Sequence, residues 1–225
     1  MITDEQAKGA VARVSSSSQT TADRYPLQSR WSFYFLKNDQ SRNWKDNIVF
    51  IETVSTVEEF WSVVNHLQTV NKMHFNTDLM LFKHGIQPMW EDPHNINGGR
   101  WVLFIDRRQS SIELDAFWLH LMMAMVGNQF GETEDGNMSG VVLSIRKGGC
   151  KISLWTNEAR NERLQRAIGR KLKHVLSLPS TSTIFYEIHE FTAANAYRNH
   201  AEPDARHGDR RGPAGAREEK YRYKE

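Results

Sequence analysis

Apolar residues in the middle of this chain follow two rhythms. Runs of strand length recur at Trp31 to Leu36, Ile48 to Ile51, Leu79 to Phe82, Trp101 to Ile105, Val141 to Arg146, Cys150 to Trp155 and Ile184 to Ile188. Turn signals such as Asn97-Gly98-Gly99 and Gly148-Gly149 separate several of them, which favours antiparallel pairing. Three helical stretches interrupt the strands. The first opens at a double capping box, Ser55 with Glu58 and Thr56 with Glu59, and its apolar face is expected to hold Val57, Phe60, Val64 and Leu67 with Trp61 beside it. The second, about Ile112 to Val126, is apolar nearly all round and must be covered on more than one side. The third, about Asn157 to Leu176, spaces Leu164, Ile168, Leu172 and Leu176 four apart, with basic residues on its other faces. The pattern predicts an α+β fold: a single curved antiparallel β-sheet backed by three helices.

The ends carry neither rhythm. Residues 1–24 contain Ser15-Ser16-Ser17-Ser18 and few large apolar groups, and residues 192–225 mix Arg, Asp, Glu, Gly and Pro. Both are expected to be disordered tails around one domain at residues 25–191. No apolar run reaches the roughly 18 residues of a membrane span, and the start does not read as a secretory signal, so a soluble, non-secreted protein is expected. The single cysteine, Cys150, cannot form an internal disulfide, and the nine histidines show no metal-ligand spacing, so neither metal nor cofactor is expected.

Charge narrows the options. The chain has 29 Lys and Arg against 27 Asp and Glu. Residues 1–24 balance at three of each sign and residues 192–225 carry eight basic and six acidic side chains, so residues 25–191 are neutral. A protein that tracks nucleic acid along its length needs a basic stripe. Any nucleic acid bound here must be a small piece held at one local site.

The hairpin 141–155 is the most informative stretch. Alternation puts Val141, Leu143, Ile145, Ile152 and Leu154 on a core face, and Ser144, Arg146, Lys151, Ser153 and Trp155 on the other. A turn at Lys147 to Cys150 is expected to set Arg146 opposite Lys151, where like charges destabilise a sheet. Two readings fit: the side chains splay into solvent, or they hold an anion, most naturally a phosphate.

Of seven tryptophans, Trp31, Trp101 and Trp118 fall in core patterns, whereas Trp44 and Trp90 lie in polar connections. Those two rings either fold down as lids or form a stacking platform for a planar base, with cation–π attraction if the base is cationic. Glu91 can accept from the adjacent N1–H and N2–H of guanine, or is simply solvated. The pairs Val57 with Trp61 and Leu119 with Met123 are core or interface. The methionines of the second helix suit an adaptable partner surface. No nucleophile–base constellation accompanies these features, so no enzyme is expected.

Five motifs, Tyr25-Pro26-Leu27-Gln28-Ser29-Arg30-Trp31, Thr56-Val57-Glu58-Glu59-Phe60-Trp61, Pro88-Met89-Trp90-Glu91-Asp92, Gly98-Gly99-Arg100-Trp101 and Lys151-Ile152-Ser153-Leu154-Trp155, occur in order. Together they resemble the eukaryotic translation initiation factor 4E family over about residues 25–191. The resemblance implies helices on the convex back of the sheet and a cytoplasmic protein that binds the 7-methylguanosine 5′ cap of messenger RNA. It further implies that Trp44 and Trp90 sandwich the methylated base, Glu91 holds its N1 and N2 edge, the backbone N–H of Trp90 meets O6, and Trp155 touches the N7-methyl group. Arg146 and Lys151, assisted by Arg100, would hold the phosphate bridge.

The implied partners are capped mRNA, the initiation scaffold factor 4G and 4E-binding repressor proteins, with no membrane partner and a monomer outside its complexes. The partner surface would comprise Pro26, Val57, Trp61, Leu119, His120, Met123 and Gly127. The alternatives are a cap-binding paralogue that represses translation through other partners, and a general single-stranded RNA binder. Tyr25 and Tyr34 stand where many members have His and Trp, Met123 where Leu is usual, and His120 where an acidic residue is usual. No serine follows Thr192, so the family's regulatory serine near the C-terminus is missing.

Overall fold

The computed structural model describes residues 24–37, 39, 41, 44–106 and 111–189, with the side chains of all but Trp44, Asn71, Ser111 and Ile112. The expectations for the two ends, Arg24 apart, fall outside these residues. Seven strands form one curved antiparallel sheet: β1 (Pro26–Lys37), β2 (Ile48–Thr56), β3 (Thr77–Lys83), β4 (Gly99–Ile105), β5 (Met138–Arg146), β6 (Gly149–Thr156) and β7 (Phe185–Ile188). Their order across the sheet is β2-β1-β3-β5-β6-β4-β7. The helices are α1 (Val57–Val64), α2 (Ser111–Val126), α3 (Glu132–Gly136) and α4 (Glu162–Val175), with short 3-10 turns at Trp44–Asn47 and Val70–Lys72.

Alternation divides β1, β3, β5 and β6 between two apolar clusters, because successive side chains point to opposite faces. The larger joins Trp31, Phe33, Leu79, Leu81, Trp101, Leu103, Val141, Leu143, Ile152 and Leu154 to Phe60 of α1, Trp118 and Leu121 of α2, and Ile168 and Leu172 of α4. Each such side chain stabilises by about 1.5–3 kcal/mol when fully buried. Gly169 lets α4 settle on the sheet, since a Cβ there would lie 2.7 Å from Trp101 Cζ2. The smaller cluster, on the opposite, concave face, comprises Tyr34, Leu36, Met80, Phe82, Ile86, Val142 and Trp155.

The expected α+β architecture is observed, with differences that have physical causes. Only one of the two capping boxes operates: Thr56 Oγ1 accepts the Glu59 N–H at 3.2 Å. Glu59 Oε2 in return accepts the Ser55 N–H at 2.8 Å and the Ser55 hydroxyl at 2.9 Å, which together lower the Glu59 pKa. Glu58 turns away to accept the Tyr25 N–H at 3.2 Å, tying the start of β1 to α1. Val57, expected on the buried face of this helix, is 37% exposed, as is Trp61. The helix ends at Val64, before Leu67, which still packs on the core.

The third expected helix starts at Glu162 rather than near Asn157. Asn161 caps it by accepting the Leu164 N–H at 3.1 Å, while Ala159 donates its N–H to Asn97 O at 3.0 Å and so is held in a turn. The five-residue α3, too short for a periodic signal, was not expected. The β5–β6 hairpin also corrects the expected register: Arg146 pairs with Gly149, and Ser144 with Lys151. The connection is the two-residue Lys147-Gly148, and Gly149 adopts a positive φ of 145° that disfavours other residues. Arg146 and Lys151 therefore share a face diagonally and do not confront one another.

Candidate functional site

The connection from β3 to β4, residues 84–98, is braced from within by two buried polar side chains. Asp92 Oδ2 accepts the Gln87 N–H at 2.8 Å and Oδ1 accepts the His94 N–H at 2.8 Å. Burial raises the Asp92 pKa, but the Gln87 and His94 N–H groups outweigh it, so the net shift is downward. Asn95, fully buried, donates through Nδ2 to Gln87 O at 3.0 Å and Met89 O at 2.9 Å. These bonds fix the short segment that presents Trp90 and Glu91. Trp90 packs against the concave cluster and remains partly exposed. Glu91 Oε2 is buried and accepts no hydrogen bond from the described residues.

Trp155 forms the floor. Its ring meets Phe82 edge-on at 5.5 Å and the His189 ring at 4.2 Å. His189 is 3% exposed, and burial, with a smaller contribution from Arg100, lowers its pKa to about 3. The imidazole beside Trp155 is therefore neutral. His189 extends the concave-side alternation of Phe185 and Glu187, a signal visible in the sequence once β7 is recognised.

Cations line the same face. Arg146 is anchored by Asp78, with Nη1 2.7 Å from Oδ1 and Nη2 donating to Oδ2 at 3.0 Å, and its Nη1 also donates to Thr77 O at 3.0 Å. Arg100 donates through Nε and Nη2 to Glu187 Oε2 at 3.0 and 2.9 Å. Lys151, partly exposed beside Ser144 on one side and Phe104 on the other, has no carboxylate partner among the described residues. Asp78 and Glu187 hold the two guanidiniums in place and reduce the net charge they present. Neither carboxylate was singled out from sequence.

The structure brings Trp90, Glu91, Arg100, Arg146, Lys151 and Trp155 to one side of the sheet. The backbone of Trp44 opens the 3-10 turn that leads into β2, and its side chain lies outside those described. Ile48, directly after that turn, packs on the same concave cluster as Trp90. Among the described residues no group of three or more His, Cys, Asp or Glu is placed to hold a metal ion, and no helix is long and apolar enough to cross a membrane.

The other expected surface lies on the helical side. Pro26 is exposed, and Val57 follows it across the β1–β2 pairing through the Val57 N–H to Tyr25 O bond of 2.9 Å. Leu119 and Met123 of α2 are partly buried against the larger core, while His120 and Gly127 are exposed. The buried side of α2, with Leu114, Trp118, Leu121, Met122 and Met125, meets the expectation of a helix covered on several sides.

Comparison with known proteins adds an independent line. A family profile described as eukaryotic initiation factor 4E matches residues 26–203. Eukaryotic translation initiation factor 4E-3 of Caenorhabditis elegans is 41% identical over 174 residues, 76% of this chain and 69% of that protein. Human eukaryotic translation initiation factor 4E type 1B is 40% identical over 185 residues, 82% and 76% of the two chains. Among solved structures, the C. elegans 4E-3 protein in complex with the 4E-binding protein Mextli and a cap analogue superposes with a TM-score of 0.72 at 42% identity, covering 76% of this chain and 96% of that one. The Ascaris suum 4E-3 protein with an m2,2,7G cap gives a TM-score of 0.72 at 41% identity, covering 74% and 92%. Sequence motifs, sheet topology and these comparisons agree that the chain belongs to the eukaryotic initiation factor 4E family.

Proposed function

We propose that this protein binds the 7-methylguanosine cap of messenger RNA on its concave face and recruits a translation partner of the initiation factor 4G type on its helical face. The observation that carries the cap assignment is the buried, unpaired Glu91 Oε2 beside Trp90. A buried acceptor without a donor costs about 1–3 kcal/mol, which a ligand edge bearing two adjacent N–H groups offsets. Trp90 supplies a stacking wall and Trp44 the second, Trp155 receives the N7-methyl group, and Lys151 with Arg146 and Arg100 holds the phosphates. The near-neutral charge of residues 25–191 suits such local gripping and disfavours a general single-stranded RNA binder.

Pro26, Val57, Trp61, Leu119, His120, Met123 and Gly127 form the partner surface. Exposure of Val57 and Trp61 supports it, because aromatic anchors left at a surface are typical binding hot spots. The relative solved with both a 4E-binding protein and a cap analogue supports two sites on one domain. Residues 25–191 constitute this domain between two tails, and the protein acts in the cytoplasm by binding and not by catalysis. Retention on a cap-analogue resin, competed by free 7-methylguanosine triphosphate but not by guanosine triphosphate, tests the reading. Loss of retention in Trp90→Ala and Glu91→Gln is expected, and retention of both variants would overturn it.

A further inference from the structure

Phe104 is the last residue but one of β4 and is 52% exposed, while Leu103 and Ile105 on either side of it are 6% and 3% exposed. Alternation places it on the concave face with Arg100 and Val102, directly across from Lys151 in the β4–β6 pairing. On the outer side, β7 sets Phe185 opposite Val102, so Phe185 and Phe104 are diagonal neighbours, within reach of aromatic rings. The Phe104 ring leans over the β5–β6 turn: a Cβ at Gly149 would come within 2.6 Å of Phe104 Cζ. Glycine at that position therefore leaves room for the ring to rest on backbone, which restricts its motion before any ligand arrives.

Along β6 the concave positions run Trp155, Ser153, Lys151, so the step from the floor of the base site to Lys151 is about 13 Å at the usual strand rise. Phe104 stands one strand beyond Lys151. A phosphate chain leading from a base held at Trp155 past Lys151 would deliver its next nucleoside to this aromatic pair. Aromatic rings next to a cation, continuous with a phosphate-holding site, match the make-up of a single-strand stacking surface. The adjacent positive charge of Lys151 favours a nucleotide over an apolar peptide.

We propose that Phe104, with Phe185 beside it, is a stacking platform for the base of the nucleotide that follows the cap's phosphate bridge. This rests on the cap-binding reading of the neighbouring site. Stacking accepts any base, and purines, with the larger π-face, gain more than pyrimidines.

Calorimetric titration of wild type, Phe104→Ala and Phe104→Tyr with two ligands tests it: 7-methylguanosine triphosphate, and the capped dinucleotide in which adenosine follows the bridge. Phe104→Ala is expected to bind the dinucleotide about fivefold more weakly, the lower end of what one stacked base contributes. Its affinity for the mononucleotide should stay within about twofold of wild type, and Phe104→Tyr should resemble wild type for both ligands. Equal losses for the two ligands, or no loss for either, overturn the platform while leaving the cap site standing; no loss for either makes Phe104 a protein-facing side chain instead. Failure of wild type to bind the mononucleotide overturns the cap reading, and the platform with it.

Discussion

Arg100 and Glu187 are register partners on β4 and β7, and the guanidinium gives both Nε and Nη2 to a single carboxylate oxygen, Oε2. Two of the three cations assigned to phosphate, Arg100 here and Arg146 on Asp78, are thus already engaged. The carboxylate orients Arg100 and at the same time competes with any anion for it. Glu187→Gln should keep the orientation and remove the competition. Exposed ion pairs contribute only about 0.2–1 kcal/mol, so affinity for 7-methylguanosine triphosphate should rise by less than about fivefold, with a steeper salt dependence. Titrations at two salt concentrations check this; an unchanged affinity and slope would mean that Arg100 does not reach the phosphates.

The brace inside the 84–98 connection gives a second expectation. Asp92→Ala removes the acceptor for the Gln87 and His94 N–H groups, at about 1–3 kcal/mol of stability, and releases the segment that positions Trp90 and Glu91. Cap affinity should fall by about tenfold or more even though Asp92 touches no ligand. Because the Asp92 pKa is lowered on folding, its contribution is complete above the usual aspartate range and is lost only as pH falls through the still lower folded value. Wild-type cap affinity should therefore show no loosening of this loop between pH 7 and 5, as read by fluorescence titration.

His189 sets a different pH dependence. Its folded pKa of about 3 lies below the ordinary 6.5, so the unfolded chain takes up a proton that the folded chain refuses. The resulting stability is fully present above pH 6.5 and declines as pH falls toward 3, by at most about 1.4 kcal/mol per unit. At pH 5 the loss is expected to reach about 2 kcal/mol, and His189→Gln should flatten that slope. Urea unfolding at pH 7.5 and 5 provides the comparison; equal slopes for the two proteins would rule out a buried neutral imidazole beneath Trp155.

His120 is exposed on α2, between the partly buried Leu119 and Met123. A basic partner peptide meets no carboxylate at this position. His120→Glu is expected to tighten a scaffold-type peptide severalfold at most, since an exposed pair adds only about 0.2–1 kcal/mol. Calorimetry with one such peptide decides, and an unchanged affinity would move partner choice to Met123 or the tails.

Much of the sheet was legible because its two faces differ in composition: period-two alternation placed Leu143 and Ile152 in one cluster and Ser144, Lys151 and Trp155 on the other side. What alternation cannot give is register, which slipped by two residues at Arg146 because the Lys147-Gly148 turn is shorter than expected. Trp90 and Glu91 stood out as a pair, whereas Asp92 and Asn95, which hold them, did not. Their role depends on backbone groups that no side-chain pattern reports. Asp78 and Glu187 were equally silent, since a carboxylate that pairs across strands looks in sequence like any solvated one. The side chain of Trp44, central to the expected base sandwich, lies outside the described residues.

The strand order has a consequence for how the molecule comes into being. β3 and β4 are consecutive in the chain but stand apart in the sheet, because the β5–β6 hairpin, made later, enters between them. Residues 84–98 thus bridge a gap of about three strand spacings, roughly 14 Å, that stays open until residue 156 has been synthesised. Until then Trp90 has no Trp155 in the cluster it packs against, and the face carries no Lys151. On the proposed reading the nascent chain is therefore blind to the cap through about the first two thirds of its own translation, and the site closes only when the hairpin docks. Any truncation before β6 should leave β4 without either of its strand partners and the protein without cap affinity.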